Sequence, residues 1–327
     1  MTAPRIRAYR PGDETGILDL YRIVFKLEMS LAEWRWYYQG GPGGRGPVAV
    51  IVVAEAPDGR VIGHYAVQPR PFCVDGRRLT AGLVMGSMVA PEFRNITTFI
   101  DMAKAAYALC REQGIGFLYA FPNDNVWLVR QRMLDWQAHP HLHALCAAPA
   151  DIQVPEADLS HVDLLAPGEP LPAADWLGAC PSEGVRAAHS AEWLTWRLQE
   201  RPGVEYPLYA HRVAGRLRGV IALKRYQAAD GRVDGHIVGW RVQPGEEETT
   251  GTLLLARAKR HFEEAGAGRV TLWLLPRSPL HPLVVRAGMT PEPARKNFGY
   301  LSLDDALSPA LAPADRWDVT MSDSDVF

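Results

Sequence analysis

The sequence predicts a mixed α/β protein built from two tandem copies of one domain, each a mixed, mostly antiparallel sheet flanked by helices. Three observations lead there. Short motifs recur in one order: Ala32-Glu33-Trp34 returns as Ala191-Glu192-Trp193 at an offset of 159, Gly59-Arg60-Val61-Ile62-Gly63 as Gly215-Arg216-Leu217-Arg218-Gly219 at 156, and Val129-Arg130-Gln131-Arg132-Met133 as Val285-Arg286-Ala287-Gly288-Met289 at 156. Pro91 and Pro122 find partners in Pro244 and Pro276 at 153 and 154, and ordered matches at a nearly constant offset read as duplication. Within each copy, strand and helix patterns follow in the same succession. The 327 residues also suffice for two domains of about 150 residues each.

In the first copy, residues 6–9 read as a strand and the chain from Asp13 as a helix with Asp13 as N-cap. The β-branched run 48–55 turns at Pro57-Asp58-Gly59 into strand 60–68, and Asp75-Gly76 makes a second hairpin turn into strand 79–89. A helical period spans 95–113 and stops at Gly114, strand 116–121 follows, and 125–135 is again helical. The second copy repeats this with strands 206–212, 217–226 and 235–242, helix 251–265, strand 270–275 and a helix near 282–287. The expected domains are therefore 1–148 and 182–306. A Pro-, Ala- and Asp-rich connection (149–181) joins them, and the tail 307–327 docks through Trp317 and Val319.

Lys plus Arg number 35 and Asp plus Glu 37, a net charge of −2 without a basic block, so nucleic acid is not an expected partner. The start of the chain is polar rather than a signal core, and no run of about 18 apolar residues predicts a membrane span. The four cysteines lie far apart with no CxxC pair, the pattern of reduced thiols in a soluble cytoplasmic protein, a monomer or homodimer.

Chemistry is expected where a strand turns into a helix, because first-turn N–H groups and the helix dipole favour an anion. Met88 and Val89 end such a strand, and Arg94, Asn95, Ile96, Thr97, Thr98 and Phe99 follow, with Arg94 adding positive charge. The matching turn of the second copy carries Glu246, Glu247 and Glu248, which either repel an anion or cap the helix. Trp34 and Trp36 stand two apart and cannot share one helix face, so that stretch is expected to break and face a pocket beside the loop Gly40-Gly41-Pro42-Gly43-Gly44. The run His139-Pro140-His141-Leu142-His143 could present its imidazoles on one strand face. Without a carboxylate or thiolate at ligand spacing it reads as a polar strand rather than a metal site, and His141 is a candidate substrate contact.

On these residues the chain resembles tandem GCN5-related N-acetyltransferases. Val89-Ala90-Pro91-Glu92-Phe93-Arg94 before a helix is similar to the family's acyl-CoA pyrophosphate motif, Phe121-Pro122-Asn123 to the end of its fifth strand, and Val285-Arg286-Ala287-Gly288-Met289 to its closing helix signature. Thr97 stands where the family pattern has glycine. The resemblance implies transfer from acetyl-CoA or another acyl-CoA to a small-molecule amine. His64, Glu92, Tyr119 and Asn123 are the implied catalytic candidates near the cleft. The segment 317–325 further resembles two-domain acyltransferases acting on nucleotide-linked amino sugars. Two alternatives stand beside this reading: a catalytically degenerate binding or scaffold protein, and an aminoacyl or peptidyl transferase.

Overall fold

The computed structural model describes residues 3–44, 48–140 and 142–327, the side chains of residues 293 and 294 excepted. Along the chain run β1 (Arg5–Ala8), α1 (Glu14–Leu20), a π-helical turn (Tyr21–Phe25), α2 (Leu31–Tyr38), β2 (Val50–Glu55), β3 (Val61–Val74), β4 (Arg77–Val89), α3 (Ile96–Glu112), β5 (Phe117–Ala120), α4 (Asp124–Met133) and β6 (Gln137–Ala138). There follow β7 (Leu142–Ala147), β8 (Val162–Leu164), β9 (Val185–Ala187), α5 (Ala191–Leu198), β10 (Leu208–Val213), β11 (Arg216–Gln227) and β12 (Val233–Val242). The chain ends with α6 (Thr252–Glu264), β13 (Arg269–Leu272), α7 (His281–Arg286), β14 (Thr290–Lys296), β15 (Gly299–Ser302), α8 (Ser308–Leu311) and β16 (Trp317–Asp318). The class is mixed α/β, with two mixed sheets flanked by helices.

Two compact units result. The first comprises residues 1–72, 79–140 and 297–312; the second comprises 73–78, 141–296 and 313–327. In the first the strands run β1-β2-β3-β4-β5-β15-β6, and in the second β14-β7-β13-β12-β11-β10-β8. Along each of these strand orders one pair is parallel among the described residues, β4 with β5 and β12 with β13. Beside that pair lies a strand from the other half of the sequence: Gly299–Ser302 pairs with Phe117–Ala120, and Leu145–Ala147 with Val270–Leu272. The compact units therefore depart from the linear division at 148 and 307: the late strand β15 joins the first sheet and the early strand β7 joins the second. Residues 149–181 are more than a connection, since β8 adds an edge strand to β10.

Local chemistry explains the elements that matter below. Helix α3 buries Ile100, Ala103, Ala106, Tyr107 and Cys110 on one face, is capped by Asn95 and ends before Gly114 at φ +72°. Asp13 does not cap α1 with its side chain. Its carboxylate accepts from Arg7 at 2.7 and 2.9 Å and from the Arg10 N–H at 2.8 Å, a stronger charged partnership. Trp317 and Val319 are fully buried, and β16 pairs with β9.

The expectation of four reduced thiols is corrected for one pair. Cys73 and Cys180 are joined by a disulfide across a sequence separation of 107, with Cα atoms 5.3 Å apart. Cys110 and Cys146 remain free. Spacing along the chain could not show this, because the fold brings the β3–β4 turn to the segment before β9. Among the described residues no helix is long and apolar enough to cross a membrane.

Candidate active site

Strands β4 and β5 pair from Ala81–Leu83 to Phe117–Tyr119. Then β5 stops at Ala120 while β4 continues to Val89, so the two part. Beyond β5 the chain turns into α4, capped by Asn123, whose Oδ1 accepts from the Val126 N–H at 3.1 Å. The gap is a cavity of about 620 Å³. Ser87, Met88 and Val89 line it from β4, and Asn123, Asn125, Val126 and Val129 from α4 and its cap. Arg94, Asn95, Ile96 and Phe99 form the wall at the head of α3, and Val24 and Phe25 approach from the π-helical turn.

The head of α3 has the features of an anion site. Asn95 Oδ1 takes the Thr98 N–H at 2.7 Å, while the other first-turn N–H groups have no partner within the helix. Arg94 is exposed, forms no ion pair among the described residues, and holds Nε 3.4 Å from the Val89 carbonyl. Thr97 is also exposed and lies outside the wall, so its β-branch does not enter the cavity.

The structure thus brings together Met88, Val89, Arg94, Asn95, Ile96, Phe99 and Asn123, but not Thr97, Thr98 and three of the four catalytic candidates. His64 is fully buried behind β4, with Nδ1 2.6 Å from the Gly86 carbonyl. Its ring lies 5.4 Å from that of Tyr38 and 6.3 Å from that of Tyr21. Burial pushes its pKa down to about 4, which keeps it neutral. Glu92 is exposed and faces Arg60 at 3.9 Å. Tyr119 is a core residue, its ring 5.1 Å from Phe72 and 6.0 Å from Phe121.

The expected break at Trp34 and Trp36 is corrected. Both lie in the continuous helix α2, capped by Ser30, and both are buried, because this helix is covered on more than one side. Trp34 packs on Tyr9 and Tyr38 and Trp36 on Tyr37, with ring centres 4.7–5.7 Å apart. Neither lines the cavity. His141 falls outside the described residues. His139 stacks on Phe298 and Tyr300 in the first unit, while His143 Nδ1 meets the Glu292 carbonyl in the second. Among the described residues no group of three His, Cys, Asp or Glu side chains could hold a metal ion. The sequence reading missed Ser87, Asn125, Val24 and Phe25. Gly86, a mid-strand glycine that takes φ +58°, was the signal that the backbone does something unusual there.

In the second unit the corresponding region is filled. Trp240, Leu280 and Leu283 belong to one buried cluster, and a Cβ at Gly251 would already meet Leu280 and Leu283 at 3.1 Å. The three glutamates act as local partners: Glu246 accepts from Thr249 and Thr250 at 2.7 and 3.0 Å, Glu247 from the Gly245 N–H at 2.9 Å, and Glu248 pairs with Arg286 at 2.5 Å.

Residues 5–127 match the model of the acetyltransferase (GNAT) domain. No curated protein matches the sequence. Among solved structures, a conserved Enterococcus faecalis V583 protein of unknown function, a probable N-acyltransferase, superposes with TM-score 0.68 at 12% identity, covering 93% of this chain and 73% of that one. A GCN5-related N-acetyltransferase from Anabaena variabilis gives 0.64 at 13% identity, covering 92% and 73%. Eis1 from Mycobacterium abscessus gives 0.61 at 14% identity, covering 98% and 84%. Residues 5–127 thus match the acetyltransferase (GNAT) domain model, and the chain shares the fold of these structures over nearly all its length.

Proposed function

We propose that the first unit binds an acyl-CoA, acetyl-CoA foremost, and transfers its acyl group to a primary amine. One observation carries this reading: a cavity opens where β4 and β5 part, with an Asn-capped helix head at its wall and an arginine that forms no ion pair among the described residues. Arg94 and the α3 N–H groups suit the pyrophosphate. Met88, Phe99, Val126 and Val129 offer apolar wall to the pantetheine arm. The bound acyl-CoA supplies an activated thioester carbonyl. Asn123 and Asn125 orient the amine through their amides, which cannot take its proton, so that proton passes to water. The second unit, whose corresponding region is filled and self-capped, is assigned no part in the transfer.

The acceptor class is a primary amine, and a nucleotide-linked amino sugar is the first member to try. The segment that pointed to it, 317–325, is largely buried in the second unit, which accounts for its pattern by packing. A non-catalytic binding protein is the second reading, favoured by a wall in which Arg94 is the sole ionisable side chain among the described lining residues. Two measurements separate them. Acetyl-CoA should raise the melting temperature, and amines should release free CoA thiol at a rate proportional to enzyme. Binding without release supports the second reading. Absence of both at millimolar ligand sinks the first.

A further inference from the structure

We infer that the cavity receives a carboxylate held by Arg130 and Ser87, so that one of the two substrates, the acyl group or the amine, is a carboxylic acid. The inference rests on the acyl-transfer reading above.

Arg130 lies on α4 one turn after Val126 and next to Val129, both in the cavity wall. It is 3% exposed. Its Nη2 donates to Ser87 Oγ at 3.3 Å, and Ser87 lines the cavity. Among the described residues its Nε has no acceptor and the guanidinium forms no ion pair. Aromatic side chains also surround it. The guanidinium carbon stands 4.9 Å from the Trp136 ring centre and 6.0 Å from that of Tyr65. Trp136 Nε1 donates to the Tyr107 hydroxyl at 2.8 Å, and that hydroxyl bonds Tyr65 at 2.9 Å. Burial raises the pKa of both tyrosines, so neither supplies a negative charge.

A guanidinium cannot shed its proton, and a buried cation without an anion is costly. Aromatic faces offset part of that cost without neutralising the charge. The internal repeat offers a comparison in sequence, although its ion pair is exposed. Arg130 corresponds to Arg286 at the offset of 156, and Arg286 grips both oxygens of Glu248 at 2.5 and 2.6 Å. The filled copy supplies a carboxylate from its own chain; among the described residues the open copy supplies none to Arg130, and the cavity reaches Ser87, its hydrogen-bond partner. A planar fork of donors favours a carboxylate over other small anions of that reach, and the Ser87 hydroxyl can donate to the same oxygen.

The test measures dissociation constants for acetyl-CoA against succinyl-CoA, and for alanine against alaninamide with CoA present. The proteins are the full chain and its Arg130→Met and Ser87→Ala variants. Methionine approximates the volume and removes the unpaired charge, and Ser87→Ala keeps the question open should Arg130→Met fail to fold. In one arm the wild type should prefer the carboxylate-bearing probe by about tenfold or more, and either variant should bring that ratio towards one. Preference in the CoA arm assigns the acid to the acyl group, and preference in the alanine arm assigns it to the acceptor. The inference is overturned if neither arm shows a preference, or if Arg130→Met weakens acetyl-CoA as much as succinyl-CoA, which would mark the anion as CoA's own phosphate. Failure of the wild type to bind any CoA thioester removes the acyl-transfer reading itself, and this inference with it.

Discussion

Arg94 is the cation that most directly decides the reading of the site. It is exposed, and its one intramolecular bond is long at 3.4 Å, so the fold owes it little. Arg94→Glu should raise the dissociation constant for acetyl-CoA about tenfold or more, because a charge-assisted contact becomes a repulsion. The same change should move the melting temperature by only about 1–2 °C. Calorimetric titration beside a melting curve checks both halves, and unchanged affinity would remove the pyrophosphate from the head of α3. His64 carries a different prediction. Burial pushes it, His139 and His236 down to about 4, below the roughly 6.5 of an unfolded histidine. Between those values the unfolded chain binds more protons, so stability is full above pH ~6.5 and falls as pH drops towards 4. Each histidine contributes at most about 1.4 kcal/mol per pH unit in that window. Melting temperature recorded from pH 7 to 4.5 should decline, and His64→Gln should flatten the decline.

Strand β4 shows how an element shapes the site without supplying its chemistry. Gly86 takes φ +58° in mid-strand, and a side chain there would press on the Tyr21 and Tyr38 hydroxyls and approach His64. Gly86→Ala should therefore destabilise the chain by about 2–4 kcal/mol, combining left-handed strain with overpacking. Urea unfolding measures this, and a cost below about 0.5 kcal/mol, the range of an ordinary surface change, would mean the strand does not hold Gly86 at positive φ. The regular elements, α3, α6, β11 and β12 among them, could be read from the sequence because their period is local and long. So could the strand–turn–helix that places Met88, Arg94, Asn95 and Phe99 in the wall. The break expected in α2 was a misreading, since a helix covered on several sides violates the one-face rule. β14 and β15 were illegible, because their partners lie far away along the chain. Val24, Phe25 and Asn125 join the wall through tertiary packing and have no signal of their own.

At the scale of the molecule, sequence order and compact unit part company, and two experiments follow. The first counts thiols. Denatured without reductant, the chain should titrate two, Cys110 and Cys146, and four after reduction, and reduction should lower the melting temperature because a separation of 107 residues is closed by Cys73–Cys180. Such bonds persist in oxidising compartments, so four free thiols would instead favour the cytoplasmic expectation. The second cuts the chain at the boundary the sequence suggests. A fragment of residues 1–148 lacks β15, the strand between β5 and β6. It also loses Phe298, stacked 5.1 Å from Phe121 and 5.2 Å from His139. Asn297 goes too, and its amide donates to Asp124 at 2.7 Å and to the Pro122 carbonyl at 3.2 Å, on both sides of the wall residue Asn123. The cut thus exposes the edge of β5 and unties the start of α4, which forms one side of the cavity. The fragment should melt without cooperativity and fail to bind acetyl-CoA. Residues 1–140 joined by a flexible linker to 297–312 should recover both properties. Cooperative melting and full affinity in the shorter fragment would show that the linear domain, not the unit completed by β15, is what folds and binds.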